Sequence, residues 1–425
     1  MKIIILHPGI QHSYRLANAL QISGLFKKVY LFSSVLYKSH QTPSFTSFQK
    51  RVKPIHREVI IKNHFLYELL SKITRNIYNK VIINPNKQVH NNPIYFWQFI
   101  FGLVCLPAIW RHRNNTILVT YETAAWPVVW LAKKWRIPVI MDFPSISHEA
   151  AKPLGINETD FGIAIKKRER IHIDYALFCS DFCRKSFEGL TSSKKDYVLY
   201  LGADRAENKM LEVESRESED NRLENIVTSE ILKQVQGDRK KIKISFIANL
   251  EYRKGLDILL EALYAYSYPV FLEVHLIGKI RKEWVEKHMP ESVINNQASL
   301  IFKEAMSQQE LFAYLAQEQF DLNVQPSRFD SFAMVVPETM MQGIPNLVSP
   351  FVGAGEMLNH GEDGFVMESL SAPSLSASLN QFMNLSTEER RKLKDEVYKS
   401  TSKMTWEKYN LAAAKVFKEI LKDLD

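Results

Sequence analysis

Cysteine is scarce: Cys105, Cys179 and Cys183 are the only three in 425 residues. Three thiols cannot build a disulfide framework, and no pair has the spacing of a zinc finger. Glycine (15) and proline (17) are too few for a collagen-like or low-complexity chain. Long apolar runs are also rare. Met1 to Leu6 is apolar, but His7-Pro8-Gly9 cuts it short of a secretory leader. The expectation is a reduced, cytoplasmic protein. The sequence has no G-x-x-x-x-G-K-[ST] loop, no G-x-S-x-G elbow and no H-E-x-x-H, and its one Asp-x-Asp is Asp423-Leu424-Asp425. P-loop, serine-hydrolase and zinc-peptidase chemistries therefore have no sequence support.

Acids are missing from one end. Residues 1–110 hold 14 Lys/Arg against Glu58 and Glu68 alone, a charge of +12, whereas the rest of the chain sums to −4. Such a field points to a polyanionic partner. Nucleic acid ranks low, because no zinc knuckle, aromatic RNA-binding signature or helix-turn-helix pattern accompanies it. An anionic membrane surface, met through residues 50–110, ranks higher, which predicts a peripheral protein at the inner face of the plasma membrane. Ile94 to Trp110 is the most apolar run, 17 residues broken by Gln98, Gly102 and Pro107. That is short of the roughly 20 residues a spanning helix needs. It reads as a helix buried against the amino-terminal sheet, or as one lying in the membrane interface. Leu66, Leu69, Leu70, Ile73 and Ile77 form a stripe at helical spacing just before it.

What is present is an alternation of short apolar strands and helices. Strands are expected at Lys2–Leu6, Val29–Phe32, Ile117–Tyr121, Pro138–Asp142, Tyr175–Ser180 and Val198–Leu201. Helices are expected near Ser13–Gln21, Trp126–Trp135 and Asp181–Leu190. Residues 205–240 are almost wholly polar or charged and read as an insertion or linker. Alternation resumes with strands Ile242–Ile247, Phe271–Ile277, Ser299–Phe302, Leu322–Gln325 and Asn346–Ser349. Helices Gly255–Tyr266, Gln308–Gln319 and Val335–Gln342 lie between them. Repeated strand–helix units imply parallel sheets covered on both faces. The expected architecture is α/β, two Rossmann-like domains across a cleft: 1–204, then 241–405, with a last helix in 406–425 packing back across both.

The richest stretch is Leu322 to Gly364. A strand ends at Gln325, the loop Pro326-Ser327-Arg328-Phe329-Asp330-Ser331-Phe332 follows, and a helix starts near Ala333 or Met334. Backbone N–H groups at such a helix start suit a phosphate or sugar hydroxyl. Asp330 alone also reads as a helix cap, and Glu338 alone as a solvated helix residue.

The pattern PS-x-x-D-S-F-x-x-x-x-x-E-x-M-x-x-G-x-P resembles the donor-site signature of family 4 retaining glycosyltransferases with the GT-B fold. Asp330 and Glu338 match that family's E/D-x7-E motif. The resemblance implies that Asp330 and the N–H groups of Ser331, Phe332, Ala333 and Met334 hold the donor sugar and diphosphate, and that Glu338 binds the ribose. Ala333 replaces the usual glycine. Ile244 to Leu260 is similar to the segment in which an Arg and a Lys grip the diphosphate. Lys254 falls on the lysine; Asn249 stands where the arginine is expected, with Arg253 close by as a partial substitute. Gly353-Ala354-Gly355 resembles the family's later glycine-rich loop.

In the amino-terminal half, Gly9, Gln11 and His12 occupy the loop that family members bring over the donor, although His12 also reads as a polar helix cap. Met141-Asp142 fills the place of a family histidine, and His148 is the nearest candidate for a sugar or acceptor contact. The resemblance thus implies transfer of a hexosyl-type sugar from a nucleotide-diphosphate donor to a glycan or lipid-linked acceptor of a surface polysaccharide. Configuration would be retained, with neither metal nor other cofactor, and Asp330, Lys254 and His148 would be central to the chemistry. A catalytically weakened subunit that supports a partner enzyme is the alternative.

Overall fold

The apolar strands assemble into two parallel sheets. The structure, a computed structural model, describes residues 1–9, 12–41, 51–81, 92–124, 126–154, 158–205, 241–249, 252–279 and 298–424. Its contacts divide it into two units: Met1–Gly202 with Lys403–Asp425, and Ala203–Ser402.

The first unit holds a seven-stranded sheet in the order β5-β2-β1-β6-β7-β8-β9. Its strands are β1 (Lys2–Leu6), β2 (Lys28–Ser33), β5 (Ile60–Asn63), β6 (Thr116–Tyr121), β7 (Val139–Phe143), β8 (Tyr175–Phe178) and β9 (Lys195–Val198). The short strands β3 (Tyr37–Lys38) and β4 (Val52–Lys53) pair with each other. β1, β6 and β7 are largely apolar because both faces of a parallel sheet are covered. Ile3, Ile4, Ile5, Leu118, Val119, Val139 and Ile140 accordingly have no exposed surface. Helices α1 (Ser13–Ile22), α2 (Phe65–Val81), α3 (Asn92–His112) and α4 (Trp126–Lys134) follow in the chain. The last helix, Trp406–Leu424, packs against α1, with Phe417 6.1 Å from Phe26 and Tyr175 donating to Asp423.

The second unit holds a six-stranded parallel sheet in the order β12-β11-β10-β13-β14-β15. These strands are β10 (Lys241–Ile247), β11 (Phe271–Ile277), β12 (Ala298–Lys303), β13 (Leu322–Gln325), β14 (Asn346–Val348) and β15 (Gly364–Val366). Ile242, Ile244, Phe246, Val274, Val324 and Leu347 form its core with the Leu256–Ala265 and Ala372–Met383 helices. Reciprocal capping boxes, Ser307 with Glu310 and Ser386 with Glu389, start two of the surrounding helices.

Several local expectations need correction. The strand placed at Val198–Leu201 lies at Lys195–Val198, and the helix placed at Asp181–Leu190 ends at Lys185. β5 and β15 have no counterpart in the sequence reading. The α2 stripe, whose direction the spacing leaves open, faces outward at Leu69, Leu70 and Ile73, while Glu68 and Ser71 are buried. α3 is buried along one stripe only. Residues 206–240 and Gln11 lie outside the described residues.

Candidate functional site

In the second unit the site begins where β10 ends. Past Ile247 the chain reaches exposed Asn249, then the single 3-10 turn Tyr252–Lys254 and the Leu256–Ala265 helix. Gly255 joins turn to helix with φ +69°, and a Cβ there would lie 2.0 Å from the Pro326 carbonyl oxygen. Only glycine combines that left-handed backbone with so close an approach. The contact brings the Lys254 turn against the loop that follows β13.

Arg328 fastens the two loops. Its backbone N–H donates to the Arg253 carbonyl at 2.7 Å, and its guanidinium donates to both carboxylate oxygens of Asp257 at 2.8 and 2.7 Å. It also stacks 3.7 Å above the Tyr252 ring. Neither Arg328 nor Asp257 was singled out from the sequence. Their pairing spans 71 positions, and no local pattern signals it.

Asp330 is the hub. Its N–H donates to Phe351 O at 2.8 Å and its carbonyl accepts from Gly353 at 2.9 Å, which ties the loop to the Gly353–Met357 turn. One carboxylate oxygen meets the Lys254 ammonium, with the Arg253 guanidinium 3.6 Å away. The other accepts the Ala333 N–H at 2.9 Å and, more weakly, the Phe332 N–H at 3.4 Å. Asp330 thus bonds the amides of the turn before the helix, whereas the helix itself has Met334 at its N-cap and no side-chain cap. The amides of Phe332 and Ala333 point at this carboxylate. Ala333 has φ +66°, a conformation that costs a side-chain-bearing residue on the order of 1–2 kcal/mol. Glycine's usual place at this position thus has a backbone reason. Ser331 is buried, and Met334 precedes the Val335–Met340 helix.

Glu338 sits on that helix, half-buried, and accepts from Gln308 Nε2 at 2.8 Å. Burial raises its carboxyl from the ordinary 4.5 to about 7; the Asp204 charge adds to the rise and the Gln308 hydrogen bond opposes it. The folded chain therefore holds this proton more tightly than the unfolded chain does. Stability contributed by the group is present at pH 4.5 and is lost as pH rises through 7, by up to about 3 kcal/mol. Melting curves of wild type and Glu338→Gln between pH 4.5 and 8 check this. The wild-type midpoint is expected to fall relative to the variant across that window, and parallel curves would refute the assignment.

The first unit gathers its polar groups at the carboxyl ends of β1, β6 and β7, where parallel sheets place ligands. Gly9 N–H donates to His7 Nδ1 at 2.9 Å and Gly9 O accepts from Ser33 at 3.2 Å. His12 Nε2 lies 2.8 Å from Asp142 Oδ2, and both His7 and His12 meet the Tyr121 ring edge-on, at 4.7 and 5.3 Å. Asp142, 4% exposed, thus takes a histidine from another loop as its partner. A small cavity beside the pair is lined by Leu177, Cys179, Leu201 and Tyr409.

His148 is elsewhere. It opens the short His148–Ala151 helix with Nδ1 3.8 Å from Glu158, inside an ion cluster with Lys166, Glu122, Arg170 and Glu149. Arg170, 1% exposed, holds Glu122 at 2.9 Å and Glu149 at 3.0 Å. Glu169, fully buried, accepts the Thr123 N–H at 2.8 Å, and burial pushes its carboxyl well above the usual range. Sequence spacing gave no hint of this cluster.

Residues 227–400 match the family model described as glycosyl transferases group 1. An uncharacterized glycosyltransferase of Methanocaldococcus jannaschii is 27% identical over 178 residues, which are 41% of this chain and 47% of that protein. The chain thus spans about half the length of that curated relative. Among solved structures, sucrose-phosphate synthase from Thermosynechococcus elongatus superposes with a TM-score of 0.64 at 13% identity, covering 100% of both chains. Anabaena HepE in complex with UDP-glucose gives 0.58 at 14% identity, covering 99% of this chain and 100% of that one. WaaG, a glycosyltransferase involved in lipopolysaccharide biosynthesis, gives 0.58 at 12%, covering 98% and 99%. The match to the glycosyl transferases group 1 model falls almost wholly within the second unit, and the chain has the two-sheet GT-B fold.

Proposed function

We propose that the protein transfers a hexosyl-type sugar from a nucleotide-diphosphate donor to an acceptor hydroxyl. The observation that carries this is the Lys254–Asp330 pair, set with Arg253 within the matched domain. In this reading the diphosphate displaces Asp330 from Lys254, and Lys254 and Arg253 neutralise the charge that develops as it leaves. These cations do at the diphosphate what a metal ion does in other transferases, so no metal or other cofactor is required. The freed Asp330 carboxylate accepts from donor-sugar hydroxyls, and Glu338 accepts from the ribose. Attack with retained configuration follows from the family resemblance.

The acceptor is a glycan or lipid-linked intermediate of a surface polysaccharide, in line with the basic amino-terminal half and the likeness to WaaG. His12, which pairs with Asp142, is the proposed acceptor or diphosphate contact of the first unit. A thermal-shift panel of UDP-, GDP-, ADP- and dTDP-sugars tests the donor site. One nucleotide is expected to raise the wild-type midpoint and leave Glu338→Ala unmoved. No shift at millimolar concentration would favour a weakened partner subunit, for which exposed Asn249 in place of an arginine is the motive.

A further inference from the structure

Helix α2 is inverted with respect to the core. Phe65, Leu69, Leu70 and Ile73 are 43–47% exposed, while Glu68 and Ser71 across the helix are 2% and 1% exposed. Glu68 is neutralised within the unit by Arg51 at 2.7 Å and Lys72 at 3.1 Å. An amphipathic helix of a soluble domain normally turns its apolar stripe inward.

The neighbouring helix α3 extends the same surface. Phe101, Cys105 and Ile109 are wholly buried along one stripe, whereas Phe96, Leu103, Val104 and Trp110 on the other are 39–54% exposed. By length and composition alone, Ile94–His112 could cross a membrane. Its buried stripe commits it instead to lie along the body of the unit.

Charge says what covers this face. No acidic residue occurs between Glu68 and Glu122. Cations edge the surface: Lys2, Lys28, Lys62 and Arg111 crowd His112 closely enough to hold its imidazole below the usual value, after burial. The Arg113 guanidinium lies 3.7 Å from the Trp110 ring centre, and the Lys134 ammonium 3.8 Å from that of Trp130. Apolar side chains backed by tryptophans and rimmed by long cations match the boundary between acyl chains and anionic headgroups. A protein partner would more often meet a face of mixed charge.

We propose that the α2–α3 face docks on an anionic bilayer, both helices lying in the headgroup–acyl boundary without crossing it. The test is cosedimentation of the full chain with phosphatidylcholine vesicles, with and without phosphatidylglycerol. Wild type is expected in the pellet with anionic vesicles, less with neutral ones, and to be released by salt. Lys62→Gln with Arg111→Gln should weaken anionic binding about fivefold per charge removed. Leu69→Gln, Ile73→Gln and Leu103→Gln together should weaken it at least tenfold, with the thermal midpoint confirming that the exposed substitutions leave the fold intact.

Wild type left in the supernatant with anionic vesicles would overturn the proposal, as would folded variants that bind like wild type. A dimer abolished by the triple variant, without vesicle binding, would reassign the face to a second copy. The assay contains no sugar nucleotide, so its failure leaves the proposed transfer reaction standing.

Discussion

Lys254→Ala is expected to lower kcat/KM for donor turnover on the order of a hundredfold or more. The reason is local. Lys254 is the cation in direct contact with Asp330, and Arg253 stands off at 3.6 Å with a looser geometry. Asn249 supplies no charge at all. In the proposed reading Lys254 would therefore carry more of the diphosphate charge than Arg253. Lys254→Arg should recover part of the loss, because charge returns while the reach differs. Initial-rate assays with the donor found by thermal shift decide the matter. A Lys254→Ala enzyme within threefold of wild type would remove the lysine from the chemistry and leave the pair with Asp330 as a loop tie.

Arg170→Ala should have the largest effect on stability, about 3–5 kcal/mol, as expected when one partner of a buried ion pair is removed. Arg170 is 1% exposed, bonds Glu122 and Glu149, and lies over the Phe187 ring at 4.7 Å. Its loss would leave Glu122 with Lys166 at 3.5 Å as its remaining cation and would open a cavity against Phe187. Arg170→Lys keeps the charge and loses the fork, so it should fall between wild type and alanine. Because the chain has two units, the transition to follow in denaturant is that of the first. A midpoint unchanged by Arg170→Ala would mean that the cluster contributes nothing net.

The strands were readable because buried parallel strands are short, continuous apolar runs. Phe271–Ile277 and Leu322–Gln325 were placed to the residue. The loop after Gln325 has local chemistry, since Asp330 accepts the Ala333 N–H three positions on. What could not be read depends on distance along the chain. His12 meets Asp142 across 130 positions, and Arg328 meets Asp257 across 71. Periodicity shows the α2 stripe but not its direction, since an outward-facing stripe and one facing a core have the same spacing. β15 is only three residues long, and its Gly364 gives no strand signal.

The return of the last helix to the first unit bears on synthesis. Gly202, where the chain leaves that unit, sits against Thr405 and Trp406, where it comes back, so tightly that a Cβ there would lie 2.6 Å from their backbone. The amino-terminal unit is therefore complete only when the carboxy-terminal residues emerge from the ribosome, after the roughly two hundred residues of the second unit. At about 5–20 residues per second that wait lasts on the order of ten to forty seconds. Throughout it, the surface of α1 and Phe26 that receives the last helix stands open on the nascent chain. The unit made first is finished last.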